Sequence, residues 1–180
     1  LGSEAGMVTF HGPLVAALSK KAAKSLFAMV SGARAPWQQA AAEVIRPGTG
    51  EGRLVGGCLS ILTAMLGTPW ALPTKGRILF LEDVNEKPYR IDRMLTQLRQ
   101  AGAFDGVAGV VFGEMVGCSA TPGEAVSVRD VIHDAFDRAP FPVAFGLPSG
   151  HGAGTVTLPL GVRAQLAGER LTLLEKPLGG

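Results

Sequence analysis

Two segments of this chain end an apolar run in ionisable side chains, Ile78-Leu79-Phe80-Leu81-Glu82-Asp83 and Gly146-Leu147-Pro148-Ser149-Gly150-His151-Gly152. A carboxylate and an imidazole brought together make two thirds of a nucleophilic hydrolase. The acid fixes the tautomer of the ring, and the ring takes the proton of a hydroxyl or thiol. Gly150 and Gly152 remove bulk on both sides of His151, which suits a ring that another group must approach. A third apolar run, Val110-Val111-Phe112-Gly113, ends at Glu114. The competing reading is that all of these are hydrogen-bonded loop residues, since strand ends are polar in every α/β protein. No strong Ser, Cys or Thr nucleophile accompanies the pair.

The other candidates are weaker. His11, in Phe10-His11-Gly12-Pro13, reads as a structural hydrogen-bonding residue at a strand-to-helix turn. His133, with Asp130, Asp134 and Asp137 nearby, reads as a solvated side chain on the polar face of a helix. Cys58 and Cys118 have no neighbours that complete a metal-ligand set and are expected to be free thiols in a reducing compartment. There is no zinc spacing, P-loop or dinucleotide fingerprint, and Gly56-Gly57 is read equally as close packing or as a weak phosphate loop.

The elements that must position Glu82 and His151 follow from periodicity. A short strand at residues 7–10 precedes a helix over 13–30. Residues 35–42 suggest a helical turn, and 43–45 with 53–55 flank Arg46-Pro47-Gly48-Thr49-Gly50 as a hairpin-like pair. A buried helix over 59–66 follows. Then a strand at 77–81, a helix at 88–101 and a strand at 107–112 form a βαβ unit with parallel pairing. Within its helix Ile91, Met94, Leu95 and Leu98 share one face. A helix over 127–138 leads to a strand at 142–146, and runs at 155–158, 162–166 and 170–174 predict an antiparallel meander. In such open α/β sheets ligands bind beyond the carboxyl ends of the strands, where Glu82 and His151 would both arrive.

Composition bounds the reading. The 180 residues, 47% of them apolar, can bury one good core. Seventeen basic and fifteen acidic residues are scattered, and the one local cluster, Lys20, Lys21 and Lys24, fits a solvated helix face, so nucleic acid is not an expected partner. The uncharged run 54–74 is broken by Gly56, Gly57, Gly67, Pro69 and Pro73 into pieces too short to span a membrane. The start at Leu1, running at once into what reads as the last strand of something earlier, is expected to belong to a longer enzyme.

At this point a family resemblance emerges. Thr9-Phe10-His11-Gly12-Pro13, Gly52-Arg53-Leu54-Val55-Gly56-Gly57-Cys58-Leu59, Ile78-Leu79-Phe80-Leu81-Glu82-Asp83-Val84-Asn85-Glu86, Pro88-Tyr89-Arg90-Ile91-Asp92-Arg93-Met94-Leu95 and Gly150-His151-Gly152 with Thr157-Leu158-Pro159-Leu160-Gly161 resemble, in order, the LD-carboxypeptidases. These are serine peptidases that trim muropeptides, with microcin-immunity peptidases as relatives.

The resemblance implies a cytoplasmic enzyme of peptidoglycan recycling that removes the terminal D-alanine from murein tetrapeptide. It implies a homodimer without cofactor, metal, nucleic-acid or membrane partner. It also implies a carboxy-terminal domain of swivelling β/β/α build over residues 35–180, with residues 1–34 as the end of a flavodoxin-like amino domain and a linker. The Ser-His-Glu triad of the family maps its acid and histidine onto Glu82 and His151, while its serine and oxyanion-hole amides belong to the preceding domain, the serine about ten residues before Leu1 by analogy with other nucleophile elbows. This chain alone is therefore expected to be inactive. Asp83 is expected to brace its loop rather than react, and is carried with Glu86 as a lesser candidate for binding substrate. Glu86 is a candidate for the free ammonium of a diaminopimelate side chain, or equally an ion pair with Arg90. Cys58 replaces the family's Asn, which changes any contact made by that side chain. Two other readings stay open: a peptidase of the microcin-immunity kind acting on peptidyl nucleotides, and a non-catalytic binding or dimerisation domain.

Overall fold

The computed structural model describes residues 6–31, 37–120 and 125–178. Its centre is a strand whose neighbours are both parallel. β5 (Arg77–Val84) lies between β4 (Thr49–Cys58) and β6 (Gly109–Val116), and β6 continues in parallel to β7 (Val143–Phe145). Antiparallel strands extend the sheet at both ends. β9 (Arg163–Ala167) pairs with β4, β10 (Arg170–Leu173) with β9 and β2 (Gln38–Ala40) with β10, while β3 (Glu43–Arg46) caps β7. The order is β2-β10-β9-β4-β5-β6-β7-β3.

Side chains of a strand alternate between faces, and β5 shows what that does here. Leu79 and Leu81 join Val55, Val110 and Phe112 beneath three helices, α2 (Leu59–Ala64), α3 (Pro88–Gln100) and α4 (Val128–Phe136). Ile78 and Phe80 point the other way, into a cluster with Leu54, Val111, Ala144 and Leu158. That second face is covered by α1 (Lys20–Val30), through Met29, and by a two-stranded ribbon of β1 (Thr9–His11) with β8 (Leu158–Leu160). The layers are thus ribbon, sheet and helices, the mixed α/β build expected from the sequence.

Local chemistry accounts for the helix limits. Pro88 opens α3 at its first turn, where its missing N–H is not needed. Ser127 and Asp130 form a reciprocal capping box at the start of α4, a device that contributes about 1 kcal/mol. The helix expected over 13–30 is instead a short 3₁₀ turn, Val15–Ala17, followed by α1. Ser19 is the reason for the break: its hydroxyl accepts from the Ala22 amide as an N-cap and donates to the Ala153 carbonyl of a distant loop.

Three other expectations are corrected. The end of the expected helical turn at 35–42 forms β2, because Gln38, Gln39 and Ala40 find a free edge on β10; residues 35 and 36 lie outside the described residues. β3 and β4 do not pair with each other; long-range partners β7 and β5 take them to opposite parts of the sheet. The meander is real for β9 and β10, but β8 leaves it to pair with β1. Gly56 settles the packing question at Gly56-Gly57 in favour of close approach. A Cβ there would sit 1.9 Å from the Phe80 carbonyl oxygen, and its φ of +139° favours glycine.

Candidate active site

Glu82 follows Leu81 on β5, so alternation sends it to the ribbon side of the sheet and sends Asp83 to the helix side. Asp83 accordingly accepts from the Ser60 amide at the start of α2, 2.8 Å away, and from the Val84 amide at 2.8 Å. It ties strand β5 to the β4–α2 junction. The Cys58 thiol contacts Asp83 Oδ1 at 3.6 Å and the Ser60 hydroxyl at 3.1 Å. Cys58 and Cys118 are both free thiols, and burial pushes the Cys118 thiol up.

Glu82 is fully buried, and its Oε2 lies 2.7 Å from Nδ1 of His151. The His151 ring is held by a loop with few freedoms. The Gly150 amide donates to the Thr155 hydroxyl, the Ser149 hydroxyl donates to the Val156 carbonyl, and the Glu114 amide donates to the Ser149 carbonyl. The Gly152 amide donates to Glu114 Oε2 at 3.1 Å. A Cβ on Gly152 would meet that carboxylate at 2.4 Å, so glycine is what lets Glu114 clamp the loop beside His151.

Electrostatics set the pair apart. Burial raises the Glu82 carboxyl above the ordinary carboxylate value; its contact with His151 pulls the other way, and the charges of Asp83 and Glu114 add to the rise. His11 approaches from β1, with Nε2 at 3.9 Å from Glu82 Oε1. Burial and the neighbouring His151 hold the His11 imidazole below its ordinary value. A cleft of about 400 Å³ opens beside the pair, lined by Phe10, His11, Pro13, Leu14, His151 and Thr155 among others. Among the described residues, no hydroxyl or thiol is hydrogen-bonded to the His151 ring, and no group of three His, Cys, Asp or Glu side chains is placed to hold a metal ion.

Of the residues singled out in the sequence, Glu82 and His151 meet, and Asp83 turns away to α2. Glu86 pairs with Arg90 at 3.4 Å at the start of α3 and is not among the described residues lining the cleft. His133 is not simply solvated: its Nε2 lies 2.7 Å from Glu43 Oε1, and Arg129 grips the same carboxylate with two contacts. The structure adds His11 to the site and brings in Glu114, the third strand-end residue, through the Gly152 amide. The strand-end position of Glu114 was a usable signal; the approach of His11 rests on the β1–β8 pairing, which no local pattern announces.

An open α/β sheet whose central parallel strand delivers a buried acid to a loop imidazole brings the two together at the carboxyl ends of its strands, where sheets of this class bind their ligands. Residues 51–166 match the family model of the LD-carboxypeptidase C-terminal domain, and the chain belongs to that family. It is 35% identical over 181 residues to the "Probable murein peptide carboxypeptidase" of Bacillus subtilis (strain 168), covering 94% of this chain and 56% of that protein. The crystal structure of muramoyltetrapeptide carboxypeptidase from Oxalobacter formigenes superposes with a TM-score of 0.80 at 30% identity, over 92% of this chain and 60% of that one. The microcin-immunity protein MccF, in complex with glutamyl sulfamoyl guanosine, shares the fold with a TM-score of 0.84 at 20% identity, over 99% of this chain and 64% of that one. The chain spans slightly more than half the length of these relatives.

Proposed function

We propose that this chain is the acid-and-histidine half of a serine-type LD-carboxypeptidase, which hydrolyses the terminal D-alanine from murein tetrapeptide during peptidoglycan recycling in the cytoplasm. The observation that carries the reading is the 2.7 Å contact between buried Glu82 and His151 at the edge of a cleft. Membership of the family and the murein peptidases among the relatives supply the substrate class.

In this reading His151 donates Nδ1–H to Glu82, which leaves Nε2 as the base that takes the proton of a serine supplied by a preceding domain. The same nitrogen then protonates the leaving D-alanine and activates water for deacylation. Such proton transfer is worth about 10² to 10⁴-fold in rate. Glu82 orients the ring and stabilises the imidazolium. Asp83 acts through the scaffold. Residues 1–34 would be the lead-in from the amino domain and 35–180 the carboxy-terminal domain, with the assembled protein a homodimer. Without the serine, the chain alone should bind but not turn over. Glu86 would exchange Arg90 for the ammonium group of the diaminopimelate side chain.

The test is D-alanine release from murein tetrapeptide by the longer chain that carries the serine, set against a peptidyl-nucleotide substrate and against this chain alone. Release from the tetrapeptide by the longer chain alone supports the reading. Cleavage confined to the nucleotide conjugate, or turnover by this chain alone, contradicts it. For Glu86, a Glu86→Gln enzyme whose KM for the tetrapeptide is unchanged would remove the proposed ammonium contact.

A further inference from the structure

Glu82 has two oxygens, and His151 uses one. Oε2 takes the His151 contact, whereas Oε1 is buried with no hydrogen-bond partner among the described residues. His11 Nε2 is in the same condition, buried and unpartnered, and these two orphans face each other at 3.9 Å. Two mutually facing buried groups, one able to donate and one able only to accept, are each costly alone and satisfied together.

The frame around His11 is made to keep the ring there. β1 is in register with β8, His11 opposite Leu158. The ring packs edge-on against Phe80, with centroids 5.1 Å apart, and Phe80 lies two residues before Glu82 on the same face of β5. Thr157 crowds the backbone behind it, since a Cβ on Gly12 would lie 3.0 Å from the Thr157 hydroxyl. Closing 3.9 Å to hydrogen-bond length needs a movement of about 1 Å, within the ordinary thermal excursion of side chains.

We propose that His11 is a positioning residue that donates Nε2–H to Glu82 Oε1, so that the buried carboxylate is held between two imidazoles. This deepens the reading of the pair given above and rests on it for any consequence in catalysis. His11 does this as a neutral ring. Burial and the adjacent His151 both disfavour its protonation, so it supplies a donor without adding a second cation to compete with the His151 imidazolium. Its effect is to keep Glu82 ionised against the cost of burial and to lock the carboxylate plane, leaving Oε2 aimed at His151. The other ionisable groups acting on Glu82, Asp83 and Glu114, oppose ionisation, which makes a second donor more consequential.

Nitrogen-detected NMR of the imidazoles in the unmutated chain, with ¹³C-carboxyl NMR of its glutamates, tests this directly. At neutral pH His11 should be uncharged with its proton on Nε2. In His11→Phe, which keeps a ring against Phe80 but cannot donate, the Glu82 carboxyl should titrate about one pH unit higher; in His11→Gln, whose amide can donate, most of that shift should disappear. A His11 proton on Nδ1, an unchanged Glu82 titration in a folded His11→Phe chain, or the same shift in both variants would overturn the proposal. The tautomer needs no variant, and no measurement needs a substrate, so failure of the peptidase reading and failure of this inference are separately visible.

Discussion

His151 Nδ1 and Glu82 Oε2 lie 2.7 Å apart although 69 residues separate them in the chain. The contact exists because β5 ends beside the loop after β7, and because one residue of alternation decides which carboxylate of Glu82-Asp83 faces the ribbon. A one-residue slip of β5 would exchange their roles, sending Asp83 toward the histidines and Glu82 toward α2.

Asp83 should behave as a brace. Asp83→Ala leaves the Ser60 and Val84 amides without their acceptor and should lower stability by about 2 kcal/mol, while Asp83→Asn keeps one acceptor and should cost about half of that. Denaturant unfolding of the two variants checks the order.

Glu82 and Glu43 should give opposite pH dependences. Burial raises Glu82 above the ordinary value of 4.5, so the folded chain binds that proton more tightly than the unfolded chain; stability falls as pH rises from 4.5 through the raised value. Glu43 is held below 4.5 by Arg129 and His133, so its contribution is present above 4.5 and is lost as pH falls through the lowered value. Unfolding midpoints across the acid and neutral range should lose the first slope in Glu82→Gln and the second in Glu43→Gln.

Glu114 and Gly152 should act as one unit. An alanine at 152 forces the Glu114 carboxylate to swing away and forfeits its bond to the residue 152 amide, the same bond that Glu114→Ala removes. Each single variant should cost about 1 kcal/mol, and the double variant little more than either. A double-mutant cycle by thermal unfolding measures this.

Gly56→Ala should be far more damaging than any of these. Its Cβ would collide with backbone of β5 rather than with a movable side chain, at a left-handed φ as well. A loss of about 3 kcal/mol or more is expected, read as a drop in melting temperature or as failure to obtain folded protein.

Much of this architecture was legible because its signals are local. The apolar runs into Glu82, Glu114 and His151 mark strand ends, and the apolar periodicity of α3 marks a helix. What was not legible depends on partners far along the chain. β2 and β3 are short and polar enough to be read as a turn and a hairpin arm until β10 and β7 claim them. Ser19 breaks a continuous apolar pattern because Ala153 offers its hydroxyl a second bond. His133 reads as solvated until α4 packs near β3 and Glu43 reaches it.

The proposed catalytic unit of Glu82 and His151 is tested most directly by kinetics of the longer peptidase proposed above. D-alanine release should fall about 10³-fold or more in His151→Ala. Adding Glu82→Ala to that variant should then change little, because an acid that acts only through the imidazole has nothing left to orient. Losses that multiply in the double variant, or a His151→Ala enzyme that keeps its rate, would contradict the account.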